Sequence, residues 1–199
     1  MKNKEYLEEN RRAYNQMALA YKQRADSGEF EVYPDIVEFG DLLSVRFGNP
    51  WILDIGPGAG VFLDYFSRRG FITSAIDISE EMIRAALKRS PNTNKSFIGN
   101  FLDYDFRNRK FDGLFAKAIF HLFAKEDSFH FIQKSYELLE NQGLLYLSVF
   151  LRDYSREGLM PKNMKGKEYV RFSKDWTEGE LEKLLGQSSF KLLKTFILP

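Results

Sequence analysis

The segment from Trp51 to Gly60 constrains the fold of this 199-residue chain more than any other. It reads WILDIGPGAG, an apolar run that ends in Asp54 and continues into three glycines at alternate positions. An amphipathic segment starts directly afterwards at Val61, so the pattern predicts a buried strand, a tight turn and a helix start. Glycines let a ligand approach the main chain, and the helix start presents unpaired N–H groups to it.

The glycine spacing separates two classes of nucleotide-like ligand. The dinucleotide fingerprint is G-x-G-x-x-G with a pyrophosphate over the helix start, but Val61 stands where its third glycine would be. The observed pattern is D-x-G-x-G-x-G, in which Asp54 would repel a pyrophosphate and suit an ammonium group. A second apolar run ends in Asp77, whose carboxylate can accept hydrogen bonds from two ribose hydroxyls. Together the motifs predict a ligand with a cationic amino-acid end and a nucleoside end.

Strand and helix patterns alternate along most of the chain. The predicted strands are 51–54, 71–77, 95–98, 111–117, 144–150 and 190–198. The predicted helices are 4–26, 35–47, 60–69, 79–89 and 125–140, with another that begins at the capping box of Thr177 and Glu180. Leu151–Ser173 is predicted to be a long loop. This alternation predicts a mostly parallel sheet wrapped by helices, with ligands bound beyond the carboxyl ends of its strands.

The ordered motifs resemble those of the class I S-adenosylmethionine-dependent methyltransferases. The matching segments are LDIGPGAG at 53–60, AIDIS at 75–79 with Glu81-Met82, GNF at 99–101, FDGLF at 111–115 and NQGLLYL at 141–147. The likeness spans Tyr14 to Phe190 and is strongest to the small-molecule methyltransferases, which often have a short helical N-terminal segment. It implies an α/β, Rossmann-like, mostly parallel sheet with helices on both faces, and S-adenosyl-L-methionine as cofactor. The family adds a seventh, antiparallel strand, whereas this chain ends after the sixth predicted strand, so either the sheet has six strands or the sequence is truncated.

We expect one methyltransferase domain over residues 1–199. Residues 1–48 would form a helical N-terminal lid, and residues 51–150 the cofactor-binding core. Residues 151–199 would supply an acceptor-side loop, a helix and the last strand.

The resemblance also implies cofactor contacts at the strand ends. These fall on Asp54, Gly56, Pro57, Gly58, Gly60, Asp77, Ile78, Met82, Asn100, Phe101 and Lys117. The glycines would admit the methionine part and the ribose, Asp54 would lie near the ammonium through water or main chain, and Asp77 would hold the ribose hydroxyls. The alternatives are that the glycines serve only the turn and that Asp77 merely starts the next helix.

The remaining cofactor contacts would surround the adenine and the fourth strand. Ile78 and Met82 would pack on the adenine, although Met82 could equally be core. Asn100 takes the place where the family often has Asp, beside the adenine amine. Phe101 and Lys117 would contribute main-chain groups.

Methyl transfer is an in-line displacement, so the protein must align the reactants and exclude water, and a general base helps where the acceptor is a hydroxyl or a protonated amine. His121, after the fourth strand, is the candidate base, and Tyr21 is a second candidate catalytic residue. His121 could instead order its loop through a hydrogen bond. The resemblance assigns lid or acceptor contacts to Tyr14, Tyr21, Arg24, Tyr154 and Arg171. The alternatives are an ordinary amphipathic helix and a solvated loop, although the basic excess of that loop hints at an anionic acceptor.

Composition excludes several function classes. The net charge of +1 lacks the basic footprint of nucleic-acid binding. The absence of cysteine excludes disulfides, a thiolate nucleophile and cysteine-ligated metals, and we expect no metal site. The start lacks an apolar signal core and no stretch is long enough to span a membrane, so we expect a cytoplasmic monomer or homodimer.

The leading interpretation is therefore transfer of a methyl group to oxygen or nitrogen of a small-molecule acceptor. A protein-directed methyltransferase is an alternative, as is a non-catalytic S-adenosylmethionine-binding sensor or partner protein. A nicotinamide oxidoreductase would require binding of the dinucleotide instead.

Overall fold

The computed structural model describes residues 5–197. Its helices are α1 (Glu5–Asp26), α2 (Pro34–Phe47), α3 (Val61–Arg68), α4 (Glu80–Arg89), α5 (Lys125–Leu138) and α6 (Glu178–Gly186). Its strands are β1 (Trp51–Ile55), β2 (Ile72–Asp77), β3 (Lys95–Ile98), β4 (Phe111–Lys117), β5 (Leu139–Ser148), β6 (Arg156–Met164) and β7 (Lys167–Asp175). A 3₁₀ turn at Phe120–Leu122 follows β4. Residues 4 and 198, which the predicted first helix and last strand included, lie outside the described residues.

The main sheet confirms the predicted Rossmann-like arrangement. Its five strands run in the order β3-β2-β1-β4-β5, and each neighbouring pair is parallel. The strand order reverses around β1, which lies between β2 and β4. A crevice therefore opens beyond the carboxyl ends of these three strands, where ligands of such sheets bind.

Helices cover both faces of this sheet because alternate residues of each strand point to opposite sides. On one face, Ile52 and Phe115 pack against α2 and α3 through residues such as Phe66. On the other face, Leu53 and Leu114 pack in a cluster that includes side chains of α5. Each large apolar side chain buried in this way contributes about 1.5–3 kcal/mol. The strand ends are therefore held by two separate layers of core.

The predicted loop over residues 151–173 is wrong. Most of this segment forms an antiparallel hairpin of β6 and β7, closed by Lys165 and Gly166, whose φ angles of 49° and 76° are those of a tight two-residue turn. The hairpin escaped prediction because the inward positions of β7 include the polar residues Arg171 and Ser173. The alternation of apolar and polar residues that marks a strand is therefore masked.

The predicted last strand over residues 190–198 is also wrong, since residues 190–197 form neither helix nor strand. Phe190 packs edge-on against Tyr136 of α5, with ring centroids 5.4 Å apart. Lys194 pairs with Glu38 of α2 at 2.6 Å. The segment thus contacts helices from both faces of the sheet instead of pairing with a strand.

Helix α1 packs against α4 and β7, and one buried polar side chain links it to both the hairpin and the 3₁₀ turn. Asn10, only 3% exposed, donates from Nδ2 to the carbonyl of Leu122 at 3.0 Å. Its Oδ1 accepts from the main-chain N–H of Phe172 at 2.8 Å. Asn10 therefore links three elements that are distant in sequence, namely α1, the 3₁₀ turn and β7. No helix among residues 5–197 has the length and apolar character needed to cross a membrane.

Replacing Asn10 by Ala should lower the free energy of unfolding by about 1–3 kcal/mol, because it leaves a buried N–H and a buried carbonyl without partners. Urea denaturation of both proteins measures the change. Gln16→Ala, at an exposed position of the same helix, should change the free energy by less than about 0.5 kcal/mol. Equal stability of the Asn10 variant and the wild type would contradict this role.

Candidate active site

The glycine turn after β1 combines a packing requirement with an open face. Gly60 has a φ of 78°, and a Cβ there would lie 2.7 Å from the backbone of Ala86 in α4. The N–H of Gly60 donates to the carbonyl of buried Pro57 at 2.9 Å, which closes the turn. At Gly58 the nearest atom to an added Cβ would be Cδ1 of Tyr21, 3.8 Å away. Gly60 therefore lets α3 approach α4, whereas a Cβ at Gly58 would only reach van der Waals contact with the Tyr21 ring.

The chain after β4 turns back towards this glycine turn. Ala118 adopts the left-handed conformation (φ 53°) that is uncommon for a residue with a side chain. Its N–H donates to Oγ of Ser148 at 2.9 Å, which fixes the reversal. The side chain of Ile119 then lies against Gly56, where an added Cβ would meet it at 2.6 Å. His121 follows on the 3₁₀ turn, which packs against β7.

Two carboxylates, Asp54 and Asp77, lie at the ends of the adjacent strands β1 and β2, on the same face of the sheet. Asp54 is 2% exposed, and its Oδ2 has no hydrogen-bond partner among the described residues. Burial, followed by the charge of Asp77, raises the pKa of Asp54 well above its usual value. A buried carboxylate oxygen without a partner suits a cationic ligand group.

Asp77 is held by the start of the next helix. Its Oδ1 accepts from the main-chain N–H of Ser79 at 2.8 Å. Burial raises its pKa to about 7, although the N–H groups of Ser79 and Ile78 act in the opposite direction. Ser79 caps α4 through its own side chain, so the helix start is formed without Asp77 as the cap.

Tyr14 and Tyr21 lie two turns apart on α1, close enough to Asp77 for its charge to act on both. Their ring centroids are 5.9 Å apart, and the Tyr14 hydroxyl donates a hydrogen bond to that of Tyr21. Burial raises the pKa of both phenols, and the charge of Asp77 adds to the effect. Nearby on α1, Oδ1 of Asn15 accepts from Oγ of Ser79 at 2.6 Å. Helix α1 is therefore fastened next to the end of β2.

Arg24 joins the end of α1 to the hairpin. It pairs with Glu29 at 2.9 Å, and its guanidinium lies 4.9 Å from the centroid of Phe30. Glu29 also pairs with Lys165 in the hairpin turn at 2.8 Å. The charge of Arg24 is thus matched by a carboxylate of the protein.

His121, Arg171 and Lys162 form a group without carboxylate partners. Nδ1 of His121 and Nε of Arg171 are buried and make no hydrogen bond to any described residue. Burial, then Arg171, then Lys162 lower the pKa of His121 to about 3. The imidazole is therefore neutral at physiological pH, and in the free protein it is a weak base. The hydrogen bond through which His121 would order its loop is not found at Nδ1.

Two residues predicted to contact adenine, Met82 and Asn100, have structural roles within the protein. Met82 is fully buried and packs with Ala13 and Met17 of α1. Asn100 donates to Asp103 at 2.7 Å and accepts from the N–H of Leu102 at 3.2 Å, so its amide stabilises the loop after β3. Their contacts with adenine stay predictions.

The other two residues near the predicted adenine position flank the same strand ends. Ile78 is partly buried and packs against the core cluster on the α5 face. The Phe101 ring belongs to that cluster and lies 4.9 Å from the ring of Phe131. The Phe101 side chain is therefore part of the core, and the contact of its main chain with adenine stays a prediction.

Lys117 and Tyr154 each take part in a cation–aromatic contact. The ammonium of Lys117 lies 5.5 Å and 5.4 Å from the ring centroids of Tyr33 and Phe62, so the side chain points towards α2 and α3. Tyr154 is 52% exposed, and the Arg156 guanidinium lies 5.5 Å from its ring. The predicted contact of Tyr154 with the acceptor stays a prediction.

Asn10 and Asp35 are polar residues near the site that the sequence reasoning missed. Asn10 stands on the stripe of Leu7, Tyr14 and Tyr21, and a polar residue on an otherwise apolar helix face is a signal that could have found it. Asp35 is buried at the start of α2, accepts a 2.5 Å hydrogen bond from the Tyr146 hydroxyl and leaves Oδ1 unpartnered among the described residues. No local pattern marks that contact. No group of three or more His, Asp or Glu side chains within residues 5–197 could hold a metal ion.

Comparison with known proteins finds one family model and several solved structures that resemble this chain. Residues 52–143, which span the glycine turn and the first four sheet strands, match the family described as "Methyltransferase domain". This part of the chain is similar to a methyltransferase domain. No curated protein sequence is a significant match.

Solved structures confirm the class I methyltransferase fold. The DhpI–SAM–HEP complex is similar with a TM-score of 0.68 and 18% identity, over 94% of this chain and 90% of that one. The 1,6-didemethyltoxoflavin-N1-methyltransferase of Burkholderia thailandensis, with its substrate and S-adenosylhomocysteine bound, has a TM-score of 0.59 and 21% identity over 87% and 74%. The magnesium protoporphyrin IX methyltransferase of Synechocystis PCC 6803, with bound SAM, has a TM-score of 0.59 and 16% identity over 94% and 86%.

Proposed function

We propose that the protein is an S-adenosylmethionine-dependent methyltransferase that acts on oxygen or nitrogen of a small-molecule acceptor. The observation that carries the proposal is the pair of buried carboxylates, Asp54 and Asp77, at adjacent strand ends beside the glycine turn, in a segment that matches a methyltransferase domain. The structural neighbours support a small acceptor, since one binds 1,6-didemethyltoxoflavin and another is named for magnesium protoporphyrin IX.

The described residues fit the proposed cofactor. The carboxylate of Asp77 would accept hydrogen bonds from the ribose hydroxyls. Asp54, with its unpartnered oxygen, would favour the ammonium group electrostatically. Gly58 would let the main chain approach the ligand. When bound, the cofactor supplies a methyl group activated by its sulfonium.

The protein would exclude water from the site and accept the proton that the acceptor releases. Tyr14 and Tyr21 cover the turn from α1, and the hairpin of β6 and β7 closes the side next to His121. The neutral imidazole of His121 would accept a proton from the acceptor hydroxyl or amine. We propose α1 as the lid within residues 1–48, because Asn15 joins it to the start of α4 and Arg24 joins it to the hairpin through Glu29 and Lys165.

Binding of S-adenosylhomocysteine, the demethylated cofactor, should weaken as the pH falls below about 7. Protonation of Asp77, whose pKa is about 7, removes the ionised acceptor for the ribose hydroxyls, so affinity should fall by up to about tenfold per pH unit. Asp54 titrates in the same direction, whereas Tyr14 and Tyr21 stay protonated because their pKa values are raised. Calorimetric titrations from pH 6 to pH 8 measure the slope.

The Asp77→Asn variant is the control for this pH dependence. Its side chain keeps an oxygen for the N–H of Ser79 but cannot ionise. The affinity of this variant for S-adenosylhomocysteine should therefore change much less with pH. An equal slope in both proteins would show that Asp77 is not the titrating group.

Methyl transfer itself tests the proposal. The protein is incubated with S-adenosylmethionine labelled on the methyl group and with extracts separated into small-molecule and protein fractions. The proposal predicts label in the small-molecule fraction. Label in protein alone would identify a protein-directed methyltransferase, and cofactor binding without any transfer would identify a sensor.

A further inference from the structure

Two cations of the hairpin face the site from neighbouring positions. Arg171 on β7 is paired with Met160, and Lys162 on β6 is paired with Tyr169. The four side chains therefore project from the same face of the hairpin, with Arg171 and Lys162 as diagonal neighbours across the two strands. Tyr169 is buried against α1 and α4 on this face, so the two cations point inward.

Neither cation is matched by a carboxylate of the protein. Within residues 5–197, no Asp or Glu oxygen lies within 4.0 Å of Arg171 or Lys162. Arg171 is 9% exposed. One of its terminal nitrogens donates to the carbonyl of Phe172 at 3.1 Å, while Nε has no partner. A buried guanidinium without a counter-charge is costly unless a ligand supplies one.

The neighbouring carboxylate Glu29 does not supply a counter-charge for Arg171 or Lys162. Glu29 is occupied by Arg24 and Lys165. Burial, then Arg171 and Lys162, lower the pKa of His121. Burial, then Arg171 and Arg24, lower the pKa of Lys162. The region beside His121 is therefore positive, whereas the two acidic side chains lie at the ends of β1 and β2.

The assignment of a ligand to Arg171 and Lys162 rests on the proposed function. S-Adenosylmethionine has an ammonium, a carboxylate and a sulfonium, and so adds a net positive charge to the site. Its single carboxylate can neutralise one of the two hairpin cations and leaves the other unmatched. We propose that Arg171 and Lys162 bind an anionic group of the acceptor, a carboxylate or a phosphoryl group, and hold the acceptor beside His121.

This arrangement makes His121 responsive to the acceptor. Burial, and after it the charges of the two cations, lower the pKa of the imidazole in the free protein. An anion placed between them opposes that effect, so the pKa of His121 rises towards its usual value when the acceptor is bound. The base is then stronger in the complex in which it is needed.

Anion binding to the protein saturated with S-adenosylhomocysteine tests the proposal. Inorganic phosphate and acetate are titrated separately by calorimetry near neutral pH. The wild-type complex should bind at least one of them with a dissociation constant in the millimolar range, and the tighter of the two assigns a phosphoryl or a carboxylate group. Lys162→Met and Arg171→Gln should each weaken this binding by about tenfold or more.

Two controls separate the possible outcomes. Lys167→Met removes an exposed lysine of the same hairpin and should leave anion binding unchanged. Because Arg171 is buried, Lys162→Met, at a half-buried position, keeps the test valid if the arginine variant fails to fold. Affinity for S-adenosylhomocysteine should change by less than about threefold in Lys162→Met.

Absence of phosphate and acetate binding to the wild-type complex would overturn the inference and leave the proposed function intact. Phosphate that competes with S-adenosylhomocysteine, together with a loss of cofactor affinity in the variants, would also overturn it, because the cations would then hold the cofactor carboxylate. Failure of the wild-type protein to bind S-adenosylhomocysteine at all would contradict the proposed function itself, and the inference with it.

Discussion

Replacement of His121 by Ala is expected to lower the turnover of the methyl-transfer reaction by about 10²–10⁴-fold, the range for loss of a general base. Affinity for S-adenosylhomocysteine should change by less than about threefold, because the neutral imidazole holds no charge on the cofactor. Single-turnover transfer of a labelled methyl group, with cofactor affinity measured in parallel, separates the two effects.

His130→Ala is the matched control, since this second histidine is exposed on α5. Its turnover should equal that of the wild type. The pKa of His121 is about 3 in the free protein, so its titration should produce no loss of kcat/KM between about pH 5 and pH 8. Wild-type turnover in the His121 variant would assign this residue to structure alone.

Replacement of Asp77 by Ala should weaken binding of S-adenosylhomocysteine by about 1–3 kcal/mol, or roughly 5- to 150-fold, because hydrogen bonds to a charged group are lost. Isothermal calorimetry at a pH above about 8, where Asp77 is ionised, gives the full effect. Asp77→Asn should weaken binding less than the alanine variant does.

Asp64→Asn is the control for Asp77, because this carboxylate pairs with Arg68 on the surface of α3 and should have no effect on cofactor affinity. Thermal unfolding of each variant shows whether the fold is intact. Unchanged affinity in a folded Asp77→Ala protein would remove this residue from the site.

The parts of the fold that depend on local pattern could be predicted from the sequence. The strand, turn and helix around Gly58 are encoded within a short segment, and the alternation of strands and helices fixes which strand ends share an edge. The convergence of Asp54, Asp77 and His121 on that edge follows from this topology, although each was placed by a different motif.

The hairpin and the C-terminal segment depend on contacts that a local pattern does not contain. Arg171 occupies an inward position that alternation would assign to an apolar residue, so its strand was predicted as loop. The residues from Phe190 onwards have a strand-like composition, but they pack on helices from both sheet faces, including a pairing of Lys194 with Glu38. Both outcomes were decided by tertiary partners distant in sequence.

The site also combines residues that a local motif predicts with residues that only tertiary contacts explain. Gly58 stands where the motif predicted an approach to a ligand, whereas Gly60 is explained by the backbone of Ala86. Met82 likewise belongs to the contact between α1 and α4. A motif identifies the turn, but only the packing shows which of its residues are left for the ligand.

Equilibrium binding of S-adenosylhomocysteine, in competition with a nicotinamide dinucleotide, tests most directly whether the crevice at Asp54 and Asp77 recognises a sulfonium nucleoside. One equivalent of S-adenosylhomocysteine should bind with a dissociation constant of about 1–100 μM. NAD⁺ in large excess should not displace it, because a pyrophosphate would face the carboxylate of Asp54. Binding of NAD⁺ in place of S-adenosylhomocysteine, or binding of neither, would contradict the account.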